Sequence, residues 1–591
     1  MLSNSFYEEK LIRCREQLAL IRRKINLVAF LRMLFFLGFA IWVFLLLRGF
    51  QYYFLFLALA FLTSFILLVR ASLGLKEKRG LFDRLLYIND NELEILKGKP
   101  NRFNDGKSFG ADDGGPDDLD IFGPRSLFHF LNRTTTTRGS GLLASLLTRP
   151  LQDIGKIEEH QRAVRELSRQ PDHRQVLTAC GLLHKEEEWV EESIKEWLGT
   201  FPELSSRKWV RTIRWLFPMA NLVSIFYYFA SGNFIPFLIG IFLCLGATRI
   251  FKKYIARQYL LIGKKQSLLD QYASILESFG ATDSHSSVLL KQLMVTAAKA
   301  HRAIRRLSRI TSFFDQRLGL LAGFFYNCLF LHDLQCLIEL EDWKKTNQDE
   351  FESWMDCLGN IEYLNSLAGF AFNNPSYCYA EFLGGPMMIE ATGLAHPLIP
   401  EKERVANDFS IGGQNKLLLI TGSNMSGKTT FLRTLGVNLL LAQCGAPSCA
   451  SSFRCMPMQI LSSLRISDSL QEHTSYFMAE LKKLQQIILN LKKGLPALVL
   501  IDEILRGTNS EDKTFGSEQF IHTLLQYDCL TLFATHDLSL SQLEFSHPAL
   551  ISNYCFESSI EDGRLYFDYK LRKGIAKNRN ASFLMKQMGL I

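Results

Sequence analysis

This sequence lacks a C-x-x-C pair, in which two residues separate the cysteines, although it contains twelve cysteines. The closest group, Cys444, Cys449 and Cys455, has neither the spacing of a zinc site nor a neighbouring histidine. A large excess of one charge is also missing, since 67 basic residues face 59 acidic ones and leave a net charge of +8. We therefore expect structural thiols in a reducing compartment and no polyanion-binding signature over the whole surface.

The length of 591 residues exceeds what one hydrophobic core supports, so several domains are expected. Residue patterns divide the chain into an N-terminal helix with an apolar hairpin (1–80), a flexible linker (81–118), a first helical core segment (119–206), a second apolar hairpin (207–255), a second helical core or lever segment (256–374) and an α/β domain (375–591). The linker is predicted from the Gly, Asp and Asn residues of its second half.

The first hairpin is predicted from two neighbouring apolar runs. Gly49 to Val69 contains no charged residue, and at helical rise it is about 31 Å long, enough to cross a bilayer core. Met33 to Leu47 is shorter, but Arg32 and Arg48 at its ends can extend to the lipid headgroups. The two predicted spans are residues 28–47 and 50–69.

The second hairpin is predicted from Trp215 to Thr248, which is uncharged throughout. It is too long for one comfortable span, so we predict a turn at Ser231 to Asn233 and spans at residues 215–230 and 234–248. Basic residues flank it on both sides: Lys208, Arg211, Arg214, Arg249, Lys252, Lys253 and Arg257. They favour four spans with both ends in the cytoplasm. The alternative is a pair of buried core helices.

These features predict a multi-pass protein of the inner membrane with its C-terminal domain in the cytoplasm. Residues 1–32 carry many charges of both signs, which favours a cytoplasmic amphipathic helix over a cleaved signal peptide. The stretch from Leu318 to Leu331 is also apolar, but it is short, and we predict a buried helix there.

A phosphate-binding loop is predicted in the last third of the chain. The apolar strand Lys416 to Ile420 leads directly into "TGSNMSGKTT", which fits the pattern G-x-x-x-x-G-K-T. Its glycines let backbone N–H groups converge on phosphate oxygens, Lys428 reaches the terminal phosphates, and Thr429 offers a hydroxyl to Mg²⁺. The predicted ligands are therefore ATP and Mg²⁺, held by Gly422, Ser423, Asn424, Met425, Ser426, Gly427, Lys428, Thr429 and Thr430.

Two further strand ends carry candidate catalytic residues. "ALVLIDEI" ends in Asp502, which can hold the metal together with Thr429, and in Glu503, which can orient the attacking water. "LFATHD" places His536 after another apolar strand, where an imidazole can sense the γ-phosphate or the water. A purely structural histidine is the alternative. Together these elements predict an ATP hydrolase with no other small-molecule substrate.

At this point the chain resembles the MutS family, the ATPases of DNA mismatch repair. The likeness rests on the phosphate loop, "SYFMAEL", "DEILRGTNSED", "ATHD" and "YKLRKG", and extends upstream through "HPLI" and "ANDFSI". It also covers "LDIFGPRSLFHFLNRTTTTRGSGLLASLLTRPL", which is similar to the start of the family's core domain. The resemblance implies an ABC-type P-loop ATPase domain on an all-α core or lever domain.

The family also implies a homodimer with composite ATP sites. Ser475 matches the family's serine that reaches the partner's nucleotide, and it can equally cap the helix that follows. Arg404 occupies the position where an adenine-stacking aromatic is common. A guanidinium can stack on adenine as well, and the alternative is a salt-bridged surface arginine.

This chain also departs from the family pattern. The letters of the family's mismatch wedge match Phe6 to Glu8, which we take as coincidence, and the second hairpin lies about where the family inserts its DNA clamp. The C-terminal helix-turn-helix is not expected either. Two functions remain: an ATPase that binds or remodels duplex DNA, to which Arg302, Arg305, Arg306 and Arg309 can contribute phosphate contacts, or a membrane-embedded mechanochemical ATPase that acts on membrane or protein partners without DNA.

Overall fold

Mixed α/β sheets and a large helical part make up the fold. The computed structural model describes residues 2–49, 51–111, 117–183, 188–281, 286–423, 425–465, 476–505, 509–561 and 564–577. The helices, in chain order, are α1 (Leu2–Arg48), α2 (Tyr52–Leu96), α3 (Leu127–Leu131), α4 (Thr137–Thr148), α5 (Ile154–Ser168), α6 (Pro171–Gly181), α7 (Glu188–Gly199), α8 (Lys208–Ser231), α9 (Ile235–Ile250), α10 (Lys252–Ile262), α11 (Gln266–Gly280), α12 (Val288–Asp315), α13 (Leu320–Phe330), α14 (His332–Asn373), α15 (Lys428–Gln443), α16 (Tyr476–Leu491), α17 (Ser510–Leu525) and α18 (Leu543–Ser546).

The strands lie in the C-terminal part of the chain. They are β1 (Glu381–Phe382), β2 (Met388–Leu394), β3 (Asn407–Gly412), β4 (Leu417–Gly422), β5 (Ser452–Cys455), β6 (Gln459–Ser463), β7 (Ala497–Asp502), β8 (Cys529–Thr535), β9 (Ile551–Glu561) and β10 (Arg564–Lys573). A smaller sheet has the order β1-β5-β2-β3, and a larger one has the order β10-β9-β4-β8-β7-β6.

The larger sheet is parallel except for its edge strand β10, which pairs antiparallel with β9. Every residue of β4, β7 and β8 is buried. Leu418 and Ile420 pack into the main core shared with the helical part, whereas Leu417 and Leu419 pack against the side chains of α16 and α17. Helices therefore cover both faces, which explains why these strands are continuous apolar runs.

After α1 and α2, α14 is the longest of the described helices. Its 42 residues span about 63 Å, and it packs against α4, α5 and α12 along its length. Trp343 and Trp354 are almost completely buried there. Because α14 ends at Asn373, directly before the strands, it connects the helical part to the larger sheet's domain.

The first apolar hairpin forms as two long antiparallel helices. α1 ends at Arg48 and α2 begins at Tyr52, on either side of the predicted turn. Each is about 70 Å long, and they approach so closely that a Cβ added to Gly38 would lie 2.2 Å from Phe61. The base of the hairpin packs on the rest of the protein, in part through a small apolar cluster of Tyr7, Leu11 and Leu93.

The prediction of four spans is not supported. Among the described helices, α1 and α2 are long and apolar enough to cross a membrane, and α9 joins them only if counted with α10 as one span bent by 63°. Pro218 and Asn221 interrupt the apolar character of α8. The 16 residues of α9 are about 24 Å long, less than a bilayer core of about 30 Å.

The alternative prediction for the second hairpin, a pair of buried core helices, does not fit the structure either. Phe229 and Phe242 are 80% and 71% exposed. The prediction of a buried helix at 318–331 was wrong for the same reason: Leu321 on α13 is 74% exposed. α13 packs on α9, α8 and α14, and the face that points away from these helices is exposed.

The prediction of a flexible linker at 81–118 was wrong for the residues that the structure describes. α2 continues to Leu96, and Asn101 is buried, where its amide donates to the carbonyls of His129 and Asn132 at 2.7 Å each. Asn and Asp side chains here replace backbone partners for an irregular segment. Composition alone does not distinguish this use from flexibility. The other predicted domain boundaries stay predictions.

A buried polar network ties the hairpin base to the end of α14. Arg133 forms a bidentate ion pair with Glu92 on α2, both nearly buried. Asn373 donates to the same carboxylate at 2.8 Å and accepts from the Tyr7 hydroxyl at 2.8 Å. Burial would raise the pKa of Glu92, but the charge and hydrogen bonds of Arg133 outweigh it and hold that pKa below its usual value.

We predict that Glu92→Ala destabilises the protein by about 3–5 kcal/mol, because the Arg133 guanidinium stays buried without its counter-charge. Denaturant unfolding of the detergent-solubilised full chain measures this. The control is Glu94→Ala, because the Glu94 carboxylate bonds Arg102 and Lys99 at the surface, and it should shift the midpoint far less. Equal shifts in the two variants would contradict the assignment.

The same ion pair predicts a pH dependence. Because the pKa of Glu92 is lowered on folding, its carboxylate stabilises the fold above its unfolded-state pKa of about 4.3 and loses this contribution as the pH falls through the folded-state pKa. The stability difference between Glu92→Ala and the native chain should therefore narrow below about pH 4.

Candidate active site

The carboxyl ends of three neighbouring strands meet at one edge of the larger sheet. β8 lies between β4 and β7, and the register pairs Thr421 with Thr535 and Asp502 with Ala534. The loop after β4, Glu503 after β7 and His536 after β8 are therefore at the same height. In parallel α/β sheets this edge is where ligands bind.

The loop between β4 and α15 has the backbone that a phosphate site requires. Gly422 has φ +154° and Gly427 has φ +105°, and Gly427 directly precedes the first residue of α15. A Cβ on Gly422 would lie 2.7 Å from Ser426 Oγ and 2.8 Å from the carbonyl oxygen of Phe556. The loop thus holds a tight turn whose N–H groups and helix N-terminus suit an anion.

Lys428 is almost fully buried beneath this loop. Its Nζ donates to the carbonyls of Gly422 and Ser423 at 2.8 and 3.1 Å. It also lies 3.3 Å from Nδ1 of His536. The cation is therefore held at the floor of the loop, within reach of a bound phosphate chain.

Thr429 and Asp502 provide oxygen atoms suited to a divalent cation. The Thr429 hydroxyl donates to Asp502 Oδ2 at 2.5 Å, and both residues line the same cavity. A hydroxyl and a carboxylate from neighbouring elements are hard oxygen ligands of the kind that Mg²⁺ takes beside phosphates. The residues therefore fit the predicted metal.

His536 connects Glu503 to the phosphate loop. Its Nδ1 lies 2.8 Å from the Gly422 carbonyl oxygen, and its Nε2 pairs with the Glu503 carboxylate. Glu503 adopts a left-handed φ of +51°, with its N–H bonded to the Ala534 carbonyl at 3.0 Å. A non-glycine residue in this conformation is uncommon, and here it directs the carboxylate toward the imidazole and the cavity.

A cavity of about 620 Å³ lies over these groups. The predicted residues that line it are Arg404, Ser423, Met425, Ser426, Gly427, Lys428, Thr429, Thr430, Asp502 and Glu503. Gly422 and His536 contact this group through the hydrogen bonds above. Asn424 and Ser475 lie outside the described residues, so their predicted roles stay predictions.

Arg404 lines the cavity but is committed to a neighbour. Its Nη1 donates to the Tyr377 hydroxyl at 2.5 Å, and its guanidinium carbon lies 5.2 Å from the centroid of the Tyr377 ring. Its distance to the Glu401 carboxylate is 3.8 Å. The Arg404 guanidinium is therefore more than half of a surface ion pair, and one of its faces already lies over the Tyr377 ring. Stacking on adenine stays a prediction.

The sequence reasoning missed Tyr569 as a cavity residue. Its ring borders Gly427, because a Cβ added there would lie 3.1 Å from Tyr569 Cδ1. Tyr569 has φ +53° and lies where the register of β9 and β10 shifts between Phe567 and Leu571. Its only sequence signal is its place in "YKLRKG". Tyr569 therefore gives the cavity an aromatic side chain, which the family resemblance led us to expect at position 404.

Two arginines of the cavity were missed as well. Arg433 and Arg465 both line it, and both contact the Asp120 carboxylate at 2.7 Å. Asp118 is buried and accepts from Lys483 Nζ and the Leu464 N–H. These two carboxylates attach the segment before α3 to the rim of the cavity. No local pattern signals this contact, because the partners are more than 300 residues apart.

Comparison with known proteins agrees with this geometry. Residues 418–587 match MutS domain V, and residues 91–185 match MutS domain III. The chain belongs to the MutS family. The MutS resemblance inferred from the motifs is thereby confirmed.

Individual MutS relatives match only part of their own lengths. "MutS protein homolog 4" of Homo sapiens is 33% identical over 196 residues, which are 31% of this chain and 20% of that protein. "DNA mismatch repair protein MutS" of Chlorobium phaeovibrioides is 33% identical over 245 residues, 39% of this chain and 27% of that protein. The Thermotoga maritima protein of the same name is 30% identical over 229 residues, with 38% and 28% covered.

We predict that Gly422→Ala weakens binding of a labelled nucleoside triphosphate about tenfold, because an added Cβ meets backbone and costs 1–3 kcal/mol of strain. Fluorescence anisotropy measures the affinity. Gly384→Ala is the matched control, since a Cβ there has no neighbour within 4 Å. Unchanged affinity in Gly422→Ala would show that the loop does not hold phosphate.

Proposed function

We propose that this MutS-family protein binds and hydrolyses ATP in an ABC-type P-loop domain, is tethered to the inner membrane by the α1/α2 hairpin, and uses the ATPase cycle to bind or remodel duplex DNA. The proposal rests on one observation. The phosphate loop, the Thr429–Asp502 pair and the Glu503–His536 pair lie together at one edge of the larger sheet. Each pair comes from two elements, so chance matches to single motifs do not produce it.

The chemistry follows from where these groups lie. The loop N–H groups and Lys428 bind the phosphate chain and neutralise its charge. Thr429 and Asp502 would hold Mg²⁺, which neutralises charge that develops on the phosphates when it is bound. Glu503 orients the attacking water and accepts its proton, and His536 fixes the Glu503 carboxylate through Nε2. A homodimer with composite sites, completed by Ser475 of the partner subunit, is part of the proposal through family resemblance.

The membrane tether is supported by the distal halves of α1 and α2. Their apolar side chains, such as Phe36, Phe44 and Phe56, are 52–73% exposed. Arg70, Lys76 and Lys78 follow the second apolar run on α2, and the positive-inside rule then places the hairpin base in the cytoplasm. We therefore propose two spans, with the nucleotide site on the cytoplasmic side.

A basic groove between α12 and α14 supports the DNA part of the proposal. Arg302, Arg306 and Arg309 are exposed along one face of α12, and a cavity of about 470 Å³ there is lined by Lys299, Arg302 and Arg306. Arg305 faces elsewhere and pairs with Asp270 and Glu277. Three of the four predicted arginines are therefore exposed on one face, and this supports a proposed role for them in phosphate contacts.

A second candidate is a membrane-embedded motor that works without DNA. The specific observation in its favour is the Glu92 network, which joins the base of the apolar hairpin to Asn373 at the end of α14. Movement of α14 relative to the nucleotide domain would then act directly on the hairpin. The two candidates share one ATPase and differ in what it moves.

We predict that Glu503→Gln retains ATP but slows hydrolysis by about 10² or more, because the water loses its proton acceptor. Steady-state phosphate release and nucleotide affinity are measured on the detergent-solubilised full chain. Glu511→Gln, on the exposed first turn of α17, is the control and should be unaffected. Lys428→Ala should instead weaken ATP binding. Near-normal turnover in Glu503→Gln would remove that residue from its role.

For the DNA candidate, replacing Arg302, Arg306 and Arg309 by glutamine should weaken duplex binding and lower its salt dependence by about one unit of slope per lost phosphate contact. Binding isotherms at several salt concentrations measure both. Arg305→Gln is the matched control, because that side chain is already paired with carboxylates. If the native chain shows neither duplex binding nor DNA-stimulated hydrolysis, with its ATPase intact, the membrane motor is the better reading.

A further inference from the structure

The second apolar hairpin is part of a three-helix unit. α8 and α9 pack antiparallel to each other, and α13 packs against both, although about 70 residues separate it from α9 in the chain. We refer to α8, α9 and α13 together as the apolar unit. Its interior holds Asn221, Gly240, Cys244 and Cys328, all buried.

Asn221 closes the interior of the apolar unit. Its amide donates to the carbonyls of Cys328 and Leu329 at 3.2 and 3.3 Å, and to Cys244 Sγ at 3.3 Å. Gly240 allows this approach, because a Cβ there would lie 1.8 Å from Asn221 Oδ1. The amide therefore serves carbonyls in the last turn of α13, where a helix leaves carbonyls without partners inside the helix.

The start of α14, directly after α13, is capped by a second amide. Asn327 Nδ2 donates to the Gly323 carbonyl at 3.0 Å, and its Oδ1 accepts from the Asp333 N–H at 3.0 Å. In water, the backbone polar groups at such a helix end form hydrogen bonds with solvent. Partners supplied from within the protein are what a helix end requires where water is absent.

The outside of the apolar unit is aromatic and aliphatic on all three helices. Phe226, Phe229, Phe242, Leu321, Phe324 and Phe325 are each more than half exposed. Monomeric soluble proteins rarely expose contiguous apolar surface on this scale. Because the exposed rings are distributed over three helices rather than along one flat face, a fluid apolar solvent fits them better than a rigid protein partner.

The basic residues beside the apolar unit and the lengths of its helices determine how it can contact a lipid bilayer. Arg207 and Lys208 precede the apolar part of α8, and Arg249, Lys252 and Lys253 follow that of α9, all exposed. These basic residues suit anionic headgroups at one membrane face. The 11 residues of α13 reach only about 16 Å and the 16 residues of α9 about 24 Å. The uncharged part of α8, from Trp215 to Ser231, reaches about 25 Å, so no apolar part of the unit reaches across a core of about 30 Å.

After α9, the chain leaves the apolar unit at the same end at which it entered through α8. After α9 the direction bends by 63° into α10, and α10 returns to the main core through Ile255 and Ile262, both buried. We propose that the apolar unit inserts into the cytoplasmic leaflet of the bilayer and ends within it, with lipid covering its exposed rings. This inference rests on the proposed membrane tether, which holds the apolar unit near the bilayer.

The test uses full-length protein reconstituted into vesicles containing anionic lipid, with the nucleotide domain outward. A fluorophore whose emission depends on polarity is attached at Ser231→Cys, at the tip of the apolar unit. Gln51→Cys marks the tip of the α1/α2 hairpin, and Ser206→Cys marks the exposed base of α8. Native cysteines are buried, apart from the half-buried Cys180 and Cys378, so the unsubstituted chain serves as the blank.

At position 231 we expect loss of most of the fluorescence when the lipid acyl chains are brominated, and protection from a membrane-impermeant reductant both before and after the vesicles are opened. Position 206 should show neither effect. Reduction at 231 only after the vesicles are opened would mean that α8 and α9 cross the bilayer, and it would overturn the inference.

Immediate reduction at 231, without quenching by brominated lipid, would mean that the apolar unit stays in water or is covered by protein, and this too would overturn the inference. Position 51 separates the two proposals. If the label there is reduced only after opening, the tether holds and the result at 231 concerns the apolar unit alone. If the label at 51 is reduced at once, the tether itself fails.

Discussion

Parallel pairing of β4 and β7 with β8 between them is the constraint on which the rest of the structure depends. It brings the phosphate loop, Asp502 and Glu503 to one edge and places His536 in the middle, within reach of both sides. The strands hold this arrangement because both of their faces are buried under helices. The site is therefore as rigid as the core beneath it.

Two sets of carboxylates connect this part of the protein to the helices and to the hairpin. Asp118 and Asp120 attach the start of the helical part to Lys483, Arg433 and Arg465 at the rim of the cavity. Glu92 attaches the base of the apolar hairpin to the end of α14. The first set thus contacts the rim of the nucleotide site directly, and the second joins the hairpin base to α14.

The departures from the sequence expectations share one cause. The segment near Asn101 was predicted to be flexible and the stretch at 318–331 to be a buried core helix, both from local composition. In the structure, Asn101 is fixed by carbonyls about thirty residues away, and α13 is exposed on the face that points away from α8, α9 and α14. Composition reports what a segment contains and not which partners reach it.

The sequence by itself determined the phosphate loop, the acidic strand end, the MutS family and the first apolar hairpin, because each is encoded in residues that are contiguous along the chain. Only the tertiary structure decided that His536 lies between Gly422 and Glu503, that Tyr569 borders the loop, and that Arg305 is turned away from Arg302. It also decided that Asn221 joins α8 to α13. These contacts depend on strand order and helix packing, and both are set by burial of surfaces that are distant in sequence.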